Sequence, residues 1–261
     1  MIGVFDSGLG GLTVVRELMS QLPGYDLTYF GDTARTPYGP KSPTTVEQYA
    51  VEIVQWLLNN KARLIIVACN TASSVATKTL REKFDAPIFE VVSPAAKLVI
   101  QNPNIRRVGV VGTRATINSG VYDALIKAER PEVKIYSKAC PLLVPLVEEG
   151  WLKKPETKQI VKKYLYSLKL KQIDTLILGC THYPILKNII QAKVGKRVRI
   201  IDSSQAIGGT IAKFLKTSKE LDAGLSKNGH LRVCVSDITE HFKQIACDIL
   251  GVPIALEEVR L

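Results

Sequence analysis

Residues 64–69, Leu-Ile-Ile-Val-Ala-Cys, and residues 175–180, Thr-Leu-Ile-Leu-Gly-Cys, follow the same pattern 111 positions apart. Each is a short apolar run that ends in a small residue and a cysteine, and polar residues typical of a helix start come next. A second pair, Ile2–Gly8 and Val108–Thr113, is related by about 106 positions. Two strand–turn–helix units in the same order and at similar separations predict two similar α/β domains.

The rest of the chain supports this fold class, because β-branched runs alternate with longer amphipathic stretches, as in mostly parallel sheets. The predicted strands are Ile2–Phe5, Asp26–Phe30, Leu64–Ala68, Ile88–Val91, Arg107–Val111, Val133–Ser137, Thr175–Leu178, Val198–Ile201 and Leu231–Val235. The predicted helices include Thr44–Asn59, Ser73–Phe84, Pro155–Leu168 and Ser204–Thr217.

Composition excludes several classes of protein. No apolar run reaches the roughly 18 residues of a transmembrane helix, and the glycine-rich start lacks the basic segment of a secretory signal, so we expect a cytoplasmic protein. The five cysteines are odd in number and form no Cys-x-x-Cys pair, which argues against disulfides and zinc ribbons. The three histidines show no metal-binding spacing, so no metal site is expected.

The chain is basic, with 35 Lys and Arg against 24 Asp and Glu and a net charge of +11. Such a charge favours anionic partners in general. The lysines are spread thinly along the sequence, and neither interleaved aromatics nor a helix-turn-helix pattern accompanies them. We therefore interpret the charge as a solvated basic exterior and expect neither a membrane nor a nucleic acid as partner.

Cys69 and Cys180 have the sequence context of reactive thiols. Each follows an apolar strand and precedes helix-capping residues, and ligands of open α/β sheets bind beyond such strand ends. A helix N-terminus stabilises a thiolate, so we expect a pKa below the usual value of about 8.5. The alternative is that both are inert buried hydrophobes, but their matched contexts favour chemistry. Cys140, Cys234 and Cys247 lack this context and are expected to be structural.

Two thiols that face one cleft suit racemisation at a carbon atom. One thiolate removes the proton from one face, and the other thiol returns a proton to the opposite face. The exchange requires no metal and no cofactor.

The segment Asp6-Ser7-Gly8-Leu9-Gly10-Gly11 follows the first strand. It is not a dinucleotide-binding loop, because Thr13 stands where the third glycine belongs. The glycines still allow a ligand to approach the backbone, and Asp6 is placed to act on a nearby thiol. The alternative is a tight turn with Asp6 as a helix cap. The Pro- and Gly-rich loop 31–39 is a weaker candidate for function.

Together these motifs resemble one family, the glutamate racemases of the pyridoxal-phosphate-independent aspartate/glutamate racemase superfamily. The resemblance spans the chain, and its most specific motif is Gly179-Cys180-Thr181-His182-Tyr183-Pro184. The other motifs that carry it are Asp6–Gly11, Pro37-Tyr38-Gly39, Cys69-Asn70-Thr71-Ala72-Ser73 and Gly112-Thr113-Arg114-Ala115-Thr116.

The resemblance implies that Cys69 handles the proton of D-glutamate, assisted by Asp6, and that Cys180 handles the proton of L-glutamate, assisted by His182. Asp32 and Glu148 are implied as supporting acids, although the Glu148-Glu149 pair leaves the second assignment open. The residues implied to bind the amino and carboxylate groups are Ser7, Tyr38, Gly39, Asn70, Thr71, Thr113, Thr116 and Thr181.

The family also implies the fold and the setting. Its members have two doubly wound α/β domains related by pseudo-twofold symmetry, with the active site in the cleft between them. We place the first domain at residues 1–93 plus 206–261 and the second at 94–205, with crossovers near Ser93-Pro94 and Asp202-Ser203-Ser204. The family supplies D-glutamate for peptidoglycan, and hence for cell wall and cell shape, as a cytoplasmic enzyme that is usually a homodimer.

Alternative functions remain open at this stage. An aspartate or hydantoin racemase would share the motifs, whereas a decarboxylase of the superfamily uses one thiol and fits two cysteines poorly. A basic nucleic-acid or protein-binding module would bind in a salt-sensitive way without racemisation. A pyridoxal-phosphate racemase would need a Schiff-base lysine that no motif marks.

Overall fold

A computed structural model describes the whole chain, Met1–Leu261. Ten strands make up its two sheets. They are β1 (Ile2–Asp6), β2 (Leu27–Gly31), β3 (Leu64–Val67), β4 (Ile88–Glu90), β5 (Arg107–Gly112), β6 (Lys134–Ala139), β7 (Thr175–Gly179), β8 (Arg199–Asp202), β9 (Leu231–Val235) and β10 (Leu256–Glu258).

Twelve α-helices and two short 3₁₀ turns, Thr33–Arg35 and Tyr183–Leu186, connect the strands. The helices are α1 (Leu12–Gln21), α2 (Pro43–Asn59), α3 (Asn70–Lys83), α4 (Val92–Ile100), α5 (Arg114–Asn118), α6 (Val121–Glu129), α7 (Leu143–Glu148), α8 (Pro155–Leu170), α9 (Lys187–Val194), α10 (Ser203–Thr217), α11 (Lys219–Ala223) and α12 (Glu240–Leu250).

The two sheets share one topology. The first has the strand order β10-β9-β2-β1-β3-β4 and the second β6-β5-β7-β8, with parallel pairing throughout. The order β2-β1-β3-β4 is thus repeated as β6-β5-β7-β8. The repeated motifs of the sequence occupy the equivalent central strands β1, β3, β5 and β7. The predicted fold class, two similar α/β domains, is confirmed.

Helices cover both faces of each sheet, so the central strands are buried on both sides, as in doubly wound folds. Strand β7 shows this directly. Leu176 and Leu178 point into the core that contains α8 and α9, whereas Ile177 points into the core that contains α4 and α6. None of the helices combines the length and apolar character needed to span a bilayer.

All nine predicted strands are present, within two residues at each end, but β10 was not predicted. Its three residues are half-buried to exposed and pair only with β9 at the edge of the first sheet, so they carry little apolar pattern. Helix α3 begins at Asn70 rather than Ser73, because Cys69 itself is the N-cap residue.

The chain passes from one sheet to the other through α4 and returns through α10, and these two helices pack together. Ser93-Pro94 lies in the first turn of α4, where the buried Glu90 carboxylate accepts hydrogen bonds from the N–H groups of Val92 and Ser93. Strands β1–β4, β9 and β10 belong to the first sheet and β5–β8 to the second. The domain boundaries proposed from sequence stay a prediction.

Candidate active site

The loops after four central strands meet in one cavity between the two sheets. Ser7 follows β1, Cys69 lies near the end of β3, Thr113 follows β5 and Cys180 follows β7. The residues that line the cavity are Ser7, Pro37, Tyr38, Gly39, Cys69, Asn70, Thr71, Thr113, Val144, Cys180, Thr181 and His182. Its volume of about 20 Å³ is room for roughly one water molecule.

The Cys69 thiol is buried, and its Sγ lies 3.7 Å from the Ser7 hydroxyl oxygen. Burial, together with the nearby Asp6 carboxylate, raises the pKa of Cys69 to about 12. The helix N-terminus acts in the expected direction, since the Ala72 N–H lowers the pKa. The expectation of a lowered pKa is wrong for Cys69, because removal from water outweighs the helix N-terminus.

Around Cys180 the polar partners form a chain. Its Sγ lies 3.8 Å from His182 Nδ1, and His182 Nε2 lies 3.2 Å from Glu148 Oε1. Burial lowers the pKa of His182, but the hydrogen bonds with Cys180 and Glu148 outweigh burial and raise it well above its usual value. The resulting imidazolium favours negative charge on the sulfur. Glu148, rather than the exposed Glu149, makes this contact.

Asp6 is fully buried beneath the cavity. Its carboxylate accepts hydrogen bonds from the Gly8 N–H and the Thr181 hydroxyl, both at 3.1 Å. Burial raises the pKa of Asp6, while the charge of His182 opposes the shift. Asp6 makes no hydrogen bond with Cys69 and acts on that thiol through its charge.

Three threonine hydroxyls form a buried cluster beside Cys69. Thr71 Oγ1 lies 2.9 Å from Thr113 Oγ1 and 3.4 Å from Thr116 Oγ1, and the last two are 3.0 Å apart. Thr71 and Thr113 line the cavity, whereas Thr116 supports them from behind. Such hydroxyls can donate to a carboxylate and accept from an amino group.

Comparison with known proteins agrees with this geometry. The family model described as Asp/Glu/Hydantoin racemase matches residues 2–207. The chain belongs to the Asp/Glu/hydantoin racemase family. A glutamate racemase from Persephonella marina is 45% identical over 260 residues, covering 100% of this chain and 97% of that protein.

Solved structures of glutamate racemases superpose closely on this family member. Isoform RacE1 from Bacillus anthracis has a TM-score of 0.93 at 35% identity, covering 100% of this chain and 97% of that one. The Francisella tularensis enzyme, solved in complex with D-glutamate, has a TM-score of 0.92 at 39% identity and covers 99% and 97%. The resemblance found in the motifs is confirmed, and the protein is a racemase, an isomerase.

Of the predicted residues Tyr38 and Asp32, only Tyr38 lines the cavity. Tyr38 lines the cavity and donates a hydrogen bond from its hydroxyl to Asp32. Asp32 lies behind the residues that line the cavity. It also pairs with Arg35 at 2.7 Å and accepts a hydrogen bond from Ser236 at 2.9 Å. Burial and the Asp32 charge raise the pKa of Tyr38, which keeps its hydroxyl protonated.

Several residues around the cavity carry no signal in the sequence. Val144 of α7 lines the cavity, although its apolar run resembles any core segment. Asn70 donates to the Tyr122 hydroxyl at 2.9 Å and accepts from the Ser203 hydroxyl at 3.3 Å. Tyr122 and Ser203 are far from Asn70 in sequence, and no local pattern indicates the contact.

Proposed function

We propose that this racemase interconverts L-glutamate and D-glutamate by moving the α-proton between Cys69 and Cys180, without a cofactor. One observation carries the proposal: two thiols from equivalent strand ends of two sheets line the same small cavity. Inversion at a carbon atom needs a base on one face and an acid on the other. A substrate held between the two sheets would present its opposite faces to the two sulfur atoms.

The surroundings of the two thiols suit the direction from L- to D-glutamate. At neutral pH Cys69 is a thiol, because its pKa is raised to about 12. His182 Nδ1 lies 3.8 Å from the Cys180 sulfur, so the positive charge of its ring attracts negative charge that develops there. Cys180 then removes the α-proton, and Cys69 protonates the opposite face of the planar carbanion. Turnover leaves Cys69 as the thiolate and Cys180 as the thiol, which is the starting state for the reverse direction.

Polar groups around the cavity supply the binding interactions. The N-terminus of α3 offers unpaired N–H groups to a carboxylate, and the hydroxyls of Ser7, Thr71, Thr113 and Thr181 surround the space. The Francisella tularensis relative was solved with D-glutamate, which supports glutamate as the substrate.

The test replaces each thiol in turn. Cys69→Ser and Cys180→Ser are each expected to lower racemisation by about 10²–10⁴-fold, the usual contribution of an acid–base group. Cys247→Ser is the matched control, since that thiol lies in α12, outside the cavity. Circular dichroism follows each enantiomer of glutamate and aspartate, and solvent deuterium should enter Cα from both enantiomers of glutamate.

Racemisation at the rate of the control by either serine variant would overturn the two-thiol mechanism. Faster turnover of aspartate than of glutamate would overturn the substrate assignment.

The role of the product follows from its chemistry and from the family. We propose that the enzyme acts in the cytoplasm as a homodimer and supplies D-glutamate for peptidoglycan, and hence for cell wall and cell shape. A strain that lacks the gene should then grow only when D-glutamate is added. Light scattering of the purified protein tests the dimer.

A further inference from the structure

The positive charge of the chain is concentrated in one segment. Residues 153–199 contain 12 Lys and Arg against 2 Asp and Glu. The remainder of the chain holds 23 cations and 22 anions out of totals of 35 and 24. Almost the whole net charge of +11 therefore belongs to the part of the second domain that contains α8 and α9.

The fold brings part of this charge together on one surface. Helices α8 and α9 pack against each other, so lysines that are distant in sequence become neighbours. A groove of about 470 Å³ runs along them. We define the basic face as five residues that line it: Lys162, Tyr166, Lys169, Leu170 and Lys193. The interpretation of thinly spread lysines misses this concentration, and three of these lysines line the same groove.

These cations have no anionic partner within the protein. None of the lysines and arginines in residues 153–199 forms a salt bridge, whereas Arg35, Arg130 and Arg232 elsewhere in the chain do. Their mutual repulsion is therefore relieved only by solvent ions or by an external anion.

The basic face also exposes apolar side chains. Leu170 and Tyr166 are 64% and 59% exposed, the highest values among the exposed large hydrophobic residues of the chain. On the opposite side of the same helix, Val161 and Leu165 are buried in the core. Helix α8 is thus apolar towards the protein and carries both lysines and apolar side chains towards solvent.

We propose that the basic face binds the surface of an acidic phospholipid bilayer. Lysines beside an anionic bilayer contribute about 1 kcal/mol each, and tyrosine and leucine enter the interfacial layer. A nucleic acid fits less well, because 10 of the 12 cations are lysines rather than the arginines that bind phosphates in a bidentate manner. The protein would lie on the bilayer without spanning it, which departs from the expectation that no membrane is a partner.

The experiment is co-sedimentation of the whole protein with vesicles. Binding to phosphatidylcholine vesicles that contain phosphatidylglycerol should exceed binding to pure phosphatidylcholine vesicles, and it should weaken as salt rises. The double variant Lys162→Glu/Lys169→Glu should bind at least about 30-fold more weakly, since two lysines are removed. The variant Tyr166→Ser/Leu170→Ser should also bind more weakly, at unchanged charge.

The matched control is Lys83→Glu/Lys216→Glu, which makes the same charge change at exposed positions of α3 and α10. It should retain vesicle binding, and all variants should retain racemisation, which shows that they fold. Equal loss in the control, equal binding to neutral vesicles, or tighter binding to duplex DNA than to acidic vesicles would each overturn the proposal.

Discussion

Replacing His182 with asparagine isolates the effect of the imidazolium on the Cys180 thiolate. Nδ1 lies 3.8 Å from Sγ, and both side chains are buried. Two unit charges about 4 Å apart interact by about 4 kcal/mol at an effective dielectric constant of about 20. Because asparagine carries no charge, the transition state at Cys180 loses a stabilisation of this order. We expect kcat/KM to fall by about 10³-fold.

Circular dichroism measures the initial rates from both enantiomers. The enantiomers have equal free energies in water, so kcat/KM must fall equally in the two directions. The primary isotope effect separates the two thiols: it should rise for α-deuterated L-glutamate, whose proton goes to Cys180, and not for α-deuterated D-glutamate. His230→Asn, at an exposed position, is the control and should leave the rates unchanged. A loss of less than about tenfold, worth about 1.4 kcal/mol, would refute the electrostatic reasoning.

Two further changes test the packing and the charges beneath the cavity. In Gly10→Ala the new Cβ would clash with Thr181 Oγ1 and would lie 2.5 Å from His182 Nδ1. The substitution should therefore lower the free energy of unfolding, measured by thermal unfolding, by about 1–3 kcal/mol. It should also reduce racemisation. Gly209→Ala, in an open helical position, should raise the free energy of unfolding by about 0.5–1 kcal/mol. Similar effects of the two substitutions would contradict the steric argument. Burial raises the pKa of Asp6, so the folded state holds this proton more tightly than the unfolded state, and stability falls as pH rises from below about 3.8 through the folded pKa. Asp6→Asn removes the titration, and its melting temperature should improve relative to that of the native protein as pH rises; a pH-independent difference would count against a buried, titrating Asp6.

The amino-acid pattern alone was enough to predict the fold class, the repeat and the candidate thiols. Strands such as Leu64–Val67 and Thr175–Gly179 are apolar because both faces of a covered parallel sheet are buried, and this leaves a local signal. The cysteine at each strand end lies at a constant sequence distance from the helix that follows. Short-range periodicity therefore suffices to predict both elements and both thiols.

The surroundings of those thiols became known only from the tertiary structure. A helix N-terminus predicts a low pKa for Cys69, but the depth of burial and the charge of Asp6, 63 residues away in sequence, reverse the shift. The choice of Glu148 over Glu149 depends on which carboxylate faces His182. The meeting of Lys162 and Lys169 with Lys193 depends on how α8 and α9 pack. Burial, charge and contact all depend on distances in space, and sequence separation does not determine them.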